Sequence, residues 1–212
     1  TLSLYLIKSV LEKGENALFI DAEHALNTEL VKGIGIPTNK FFAHQPDNGE
    51  SALTLCSEMI TSGTVNLIVI DSVAALTPRV IIENGMDKES MGVQARMMSK
   101  WLSQAVGMVA KMKCSVVFIN QIRSNIQNMG YGPSETTPGG RALKFYSSMR
   151  IEVKKVKTLK TPADVIYGHN VVAKVVKNKM SAPFRCGEFP IIYGHGVPLE
   201  NTVAQMGMSS GV

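Results

Sequence analysis

The 212-residue chain has no apolar run approaching the ~20 residues that a membrane-spanning helix requires. Its opening, Thr1-Leu2-Ser3-Leu4, has no initiator methionine, no charged leader region and no cleavage site. A soluble chain is expected, cut from something longer. Cysteine is scarce: Cys56, Cys114 and Cys186 are odd in number and widely spaced. That excludes a disulfide framework and a paired metal-ligand motif, and points to a reducing compartment. With 45% hydrophobic and 18% charged residues, the composition also excludes a disordered tail and allows one well-buried domain.

Charge is present but unevenly placed. The chain carries a net +5, and residues 144–180 hold nine Lys or Arg against Glu152 and Asp164, a local +7 that leaves −2 elsewhere. A basic segment of this kind suits a polyanionic partner, although a solvated lysine-rich face has the same composition.

Periodicity organises the rest. Leu4, Ile7, Val10 and Leu11 recur at helical spacing before Gly14, which predicts a helix over residues 2–13. Three short continuous apolar runs follow at 16–21, 66–71 and 115–120. Runs without alternation are those of strands buried on both faces. Helical stretches at 49–62 and 91–113 separate them, and this alternation predicts a parallel sheet covered by helices. Beyond Gly140 the pattern changes to strands at 144–156, 170–178 and 188–193, expected to extend the same sheet in partly antiparallel fashion. Residues 122–140 resist assignment, being polar with four glycines and two prolines. A loop of that length in a compact domain is usually functional or disordered.

In open α/β sheets ligands bind outside the carboxyl ends of the strands. The first run delivers Asp21, Glu23 and His24 there, the second Asp71 and Ser72, and the third Asn120, Gln121 and Arg123. Asp71 after four aliphatics has the form of a Walker B acid, whose carboxylate positions Mg²⁺ beside nucleotide phosphates; a capping carboxylate has the same form. Glu23 has the reach of a general base that orients water for attack on phosphate, and equally the position of a surface acid. Gln121 both donates and accepts, as a γ-phosphate sensor needs and as a sheet-edge cap also does.

These residues sit in longer strings: Phe19-Ile20-Asp21-Ala22-Glu23-His24-Ala25-Leu26, Val69-Ile70-Asp71-Ser72-Val73-Ala74-Ala75-Leu76-Thr77-Pro78, and Phe118-Ile119-Asn120-Gln121-Ile122-Arg123. Further strings are Met91-Gly92 with Ala95-Arg96-Met97-Met98-Ser99, Gly139-Gly140-Arg141-Ala142-Leu143-Lys144-Phe145-Tyr146, and Val175-Val176-Lys177-Asn178-Lys179-Met180-Ser181-Ala182-Pro183-Phe184. In order and spacing the chain resembles the bacterial RecA recombinases over nearly its whole length.

The resemblance implies an α/β fold, a RecA-like P-loop NTPase core with a mostly parallel central sheet flanked by helices and additional later strands. It would fill residues 1–212 as an ATPase and DNA-binding core, incomplete at the N-terminus and lacking the C-terminal domain. It implies ATP and Mg²⁺ as cofactors, with Glu23 the catalytic glutamate, Asp71 the Mg²⁺-associated acid acting through water, and Gln121 the switch between nucleotide and DNA. Thr1, Ser72, Asp71 and Gln121 would face the nucleotide, while Lys177 and Lys179 would reach a neighbouring protomer's ATP across a filament interface. Two loops, near 81–91 and 122–140, would line the filament axis. Met91, Gly92, Arg96, Ser99, Arg123, Ile126, Gly139, Gly140 and Arg141 would hold single-stranded DNA there, phosphates on the arginines and glycine amides, bases against Ile126 and Met91.

Homologous duplex DNA, further copies of the chain and a self-cleaving repressor are the partners the resemblance implies, with no membrane, in the bacterial cytoplasm or a bacterium-derived organelle. Lys144 and Phe145 resemble the protomer-contact region, although an aromatic in a strand is commonly core.

The sequence departs from the family at three points. The string G-x-x-x-x-G-K-[ST], which cradles phosphates, occurs nowhere in the 212 residues and is expected just before Thr1. Leu30 stands where the family has an adenine-stacking aromatic, and Asn27 where it has an acid. Two competing readings are a different ATPase on the same fold, such as a helicase, and a catalytically silent DNA-binding or filament-modulating paralogue.

Overall fold

A computed structural model describes residues 1–84, 90–124 and 135–198. They fall into two compact units. One comprises residues 2–26 and 36–146; the other comprises Thr1, residues 27–35 and the chain from residue 147 onward.

The first unit is built on a four-stranded parallel sheet in the order β2-β1-β3-β4. Its strands are β1 (Ala17–Asp21), β2 (Phe41–His44), β3 (Leu67–Asp71) and β4 (Ser115–Phe118). Every residue of β1 is buried, as is β3 up to Ile70. The cause is cover on both faces. Leu18, Ile20, Ile68 and Ile70 pack with Leu53, Cys56 and Ile60 of α3 (Gly49–Ser62) and Met98, Trp101 and Leu102 of α5 (Ser90–Met112). The alternate residues Phe19 and Val69 face the other way, the side of α1 (Leu2–Glu12), whose Leu4, Ile7 and Leu11 are buried. Trp101 satisfies its indole N–H on the Leu53 carbonyl and the Ser57 hydroxyl, both at 2.9 Å, which locks α5 against α3.

Two expected features hold with shifted boundaries, and others were not foreseen. The first helix ends at Glu12, and Gly14 takes φ 83° in the turn that follows. The loop expected at 81–91 contains α4 (Arg79–Asn84) and the start of α5. The loop expected at 122–140 begins and ends in a short ladder, β5 (Arg123–Ser124) antiparallel to β6 (Glu135–Thr136). Lys144, read as the start of a strand, lies instead in α6 (Ala142–Tyr146). Phe145 is on that helix and 81% exposed, so the core reading of this aromatic is overturned.

The second unit holds α2 (Thr28–Ile34) and the strands β7 (Met149–Lys160), β8 (Ile166–Asn178) and β9 (Cys186–Ile192). These later strands do not extend the parallel sheet; they form a separate antiparallel sheet in the order β7-β8-β9. A turn closed by Thr161 and Val165 returns β7 directly onto β8, so each strand finds its ladder partner next in sequence. Asn27 caps α2, its Oδ1 accepting from the Leu30 N–H at 2.9 Å. The position that departs from the family's acid therefore keeps a cap residue.

Candidate nucleotide site at the strand ends

The chain leaves β1 to form β2 on one side and β3 on the other, which makes the carboxyl ends of β1 and β3 the point where connections diverge. Ligands of open parallel sheets bind at such a point. Register brings Asp21 opposite Asp71, and the Ala22 and Glu23 N–H groups both donate to the Asp71 carbonyl, at 2.8 and 3.2 Å. Chain direction alone thus carries Glu23 over the end of β3.

Three strand ends meet at the Glu23 carboxylate. Its Oε1 accepts from the Ser72 hydroxyl and, at 3.1 Å, from the Gln121 side-chain amide. Ser72 is buried and follows Asp71 through a cis peptide bond, whereas Glu23 and Gln121 are exposed. Gln121 is itself fixed from behind. Its backbone N–H donates to Asn120 Oδ1 at 2.9 Å, while Asn120 Nδ2 donates to the Pro138 carbonyl at 3.0 Å. Glu23, Asp71, Ser72 and Gln121, expected to act together, are brought together.

The two aspartates behave differently. Burial disfavours the Asp21 charge, yet the Gln45 amide, the Ala25 and Leu26 N–H groups and nearby His24 outweigh it, so this carboxyl titrates below its ordinary value. Those hydrogen bonds are 3.0 to 3.1 Å long. They fix the turn that presents Glu23, including His24 at φ 56°. Asp71 has its pKa raised, first by burial and then by the charge of Glu23, with Asp21 adding a smaller repulsion. A carboxylate crowded by acids is stabilised by a cation.

Asp21 and Asn120 were placed at strand ends by sequence but given no role, and Gln45 was missed. Gln45 lies 24 residues from its partner, and no local pattern announces such a bond. The string of matched residues around Asp21 was the only available signal.

The remaining expected residues divide between the two units. Lys177 is the penultimate residue of β8, with Lys179 just beyond its end; partial desolvation and then the charges of Lys179 and Arg150 lower the Lys177 ammonium's pKa. Thr1 also belongs to that second unit. Gly92, Arg96 and Ser99 share an exposed face of α5. Gly139 and Gly140 take φ 80° and 74°, and added Cβ atoms would fall 2.7 Å from Val73 Cγ1 and 2.9 Å from Ala95 Cβ. Glycine is thus required by conformation and by space at both positions. Ser99 and Arg141 line one open hollow of about 360 Å³ with Ala95, Ala142, Phe145 and Tyr146. Ile126 and the side chains of Met91 and Arg123 lie outside the described residues.

The sequence profile of the RecA N-terminal domain matches residues 1–198. A protein named RecA from Campylobacter fetus is 49% identical over 208 residues, covering 98% of this chain and 60% of that protein. RecA of Nitratiruptor is 48% identical over 212 residues, covering all of this chain and 61% of its own length, and RecA of Oleidesulfovibrio alaskensis is 45% identical over 212 residues. An α/β fold built on a four-stranded parallel sheet flanked by helices, with a topological switch point between β1 and β3, is the class the structure defines. Within it, the chain belongs to the RecA N-terminal domain family. It spans about 60% of the length of these relatives.

Proposed function

We propose that this chain is the catalytic and DNA-contacting core of a protein that hydrolyses ATP on single-stranded DNA and uses the resulting filament for homologous recombination and repair. The observation that carries the proposal is the meeting of Ser72 and Gln121 on the Glu23 carboxylate, beside Asp71, at the switch point of a parallel sheet.

Glu23 orients and deprotonates the attacking water, and its carboxylate is aimed by the two donors it accepts. Asp71 would hold Mg²⁺ through water, and the ion would supply charge neutralisation at the phosphates. The donor set fits this use. Asp71 is crowded by acids, and among the described residues no three acidic, His or Cys side chains form an all-protein metal cage. Mg²⁺ commonly takes one or two carboxylates plus phosphates and waters. Gln121 links Glu23 to the segment that starts at Arg123, so it is placed to pass occupancy of that segment to the carboxylate. Ser72 completes the nucleotide side, and Lys177 and Lys179 act on a neighbouring protomer's nucleotide, where ammonium groups stabilise developing charge.

Gly92, Arg96, Ser99, Arg123, Gly139, Gly140 and Arg141, with Met91 and Ile126, contact DNA without reading sequence, since base pairing supplies specificity. The local +7 charge of residues 144–180 suits the same polyanion. The remaining partners are homologous duplex DNA, further copies of the chain through Lys144 and the exposed Phe145, and a self-cleaving repressor; the compartment is the bacterial cytoplasm or a bacterium-derived organelle. Among the described residues no helix is long and apolar enough to cross a membrane.

The string G-x-x-x-x-G-K-[ST] is missing from the 212 residues, so this chain alone has no phosphate cradle. The experiment compares nucleotide binding by the 212-residue chain and by the full-length product of its coding sequence. Tight binding only by the latter, with hydrolysis stimulated by single-stranded DNA, supports the proposal. A full-length product that lacks the string and hydrolyses nothing supports a silent DNA-binding or filament-modulating paralogue instead.

A further inference from the structure

Gln94 was given no role by the sequence and lies half-buried near the start of α5. Its Nε2 donates to the Val73 carbonyl at 2.8 Å and the Leu76 carbonyl at 3.1 Å, with the Ala74 carbonyl at 3.5 Å. All three neighbours are acceptors, so the nitrogen end of the amide must face them. The segment it holds is the 3₁₀ turn Val73–Ala75, which follows directly on Ser72. Ser72 in turn donates to Glu23. One covalent step, from Val73 to Ser72, and two side-chain hydrogen bonds therefore connect α5 to the Glu23 carboxylate.

A second route leads to the same carboxylate. Ala95, the next residue on α5, packs on Gly140, and Val73 packs on Gly139. Pro138 then accepts from Asn120, Asn120 accepts from the Gln121 N–H, and Gln121 reaches Glu23. The Val73 N–H also donates to the Ile119 carbonyl at 3.0 Å, which ties the two routes at their middle. The contacts close into a ring in which Gln94 is the only side chain that bonds α5 to the turn after Ser72 among the hydrogen bonds of the described residues.

We propose that Gln94 is a positioning residue for ATP hydrolysis: it anchors the turn that places Ser72, and through Ser72 the Glu23 carboxylate, to the helix whose exposed face carries Gly92, Arg96 and Ser99. Single-stranded DNA engaging that face and the turn at 139–141 thereby acts on Glu23 from both sides, through Gln94 as well as through Gln121. Without the amide, the carbonyls of Val73 and Leu76 lose a shared donor, and α5 can shift without carrying the turn along. This inference rests on the reading of the strand ends as a DNA-stimulated ATPase site.

The test uses the full-length protein and the ratio of ATP turnover with saturating single-stranded DNA to turnover without it. Gln94→Met keeps the bulk and removes the donor; Gln94→Lys keeps donors at similar reach. The expected result is a fall of about tenfold in the ratio for Gln94→Met, with Gln94→Lys restoring most of it, since couplings of this kind span about 5- to 150-fold. Thermal melts of both variants separate folding from coupling. A wild-type ratio in Gln94→Met overturns the inference, as does an equal loss with and without DNA accompanied by a lowered melting temperature. If wild-type protein itself shows no stimulation by DNA, the underlying functional reading fails instead.

Discussion

Asp21 and Asp71 are register partners on adjacent strands, yet the fold holds one carboxyl charged and resists the charge of the other. Both end an apolar strand, and both are depleted of water. The difference lies in the donors. Asp21 receives two backbone N–H groups and the Gln45 amide, which together exceed its burial cost. Asp71 faces the Glu23 and Asp21 charges instead. A carboxylate satisfied by its own chain is structural, and one left short of donors beside other acids awaits a ligand.

The largest effect expected from this contrast is on chemistry. Asp71→Asn in the full-length protein lowers ATP turnover at least about 100-fold, the scale for loss of a metal-positioning or electrostatic group. The folded chain remains at least as stable as wild type, because a disfavoured charge is removed. Steady-state turnover and a thermal melt check both halves; a large drop in melting temperature would place Asp71 in the structural class with Asp21.

Asp21→Asn makes the converse change. It turns an amide N–H₂ toward groups that already donate, and costs about 2 kcal/mol of stability. Urea unfolding of the chain measures it, and a loss under about 0.5 kcal/mol, the size of an ordinary surface substitution, breaks the contrast. Gln45→Ala removes one of the three bonds to Asp21 and is expected to cost about 1 kcal/mol by the same measurement.

The pH dependence is the smallest effect and has opposite signs at the two positions. The Asp21 pKa is lowered from 3.8 on folding, so its stabilisation is present above that value and is lost as pH falls through the folded pKa. The Asp71 pKa is raised from 3.8, so its cost appears as pH rises from that value through the folded pKa. Relative to wild type, Asp21→Asn should therefore be less stable at neutral pH and approach it in acid. Asp71→Asn should hold an advantage at neutral pH that fades in acid. Melts of the three proteins from pH 3 to pH 7 distinguish the signs.

The parallel sheet was legible because β1, β3 and β4 are short, mainly apolar runs, and the site because β1 and β3 end in Asp21 and Asp71 while Asn120 and Gln121 follow closely on β4. The missed element β2 is four residues long and partly exposed, so it carries no continuous buried run. Lys144, Phe145 and Tyr146 suit a strand by composition, but the preceding Gly139 and Gly140 turn the chain into α6 before β7 begins. Separation of the later strands into their own sheet depends on ladder pairing, which hydropathy does not encode. Bonds that position the site, Gln45 to Asp21 and Asn120 to Pro138, join residues 24 and 18 apart and have no local signature.

The most direct test of the central claim is ATP turnover by the full-length protein, with and without single-stranded DNA, for wild type and Glu23→Gln side by side. The account predicts DNA-stimulated turnover in wild type and a loss of about 100-fold or more in Glu23→Gln with retained binding to single-stranded DNA. Turnover by Glu23→Gln at the wild-type rate would contradict it.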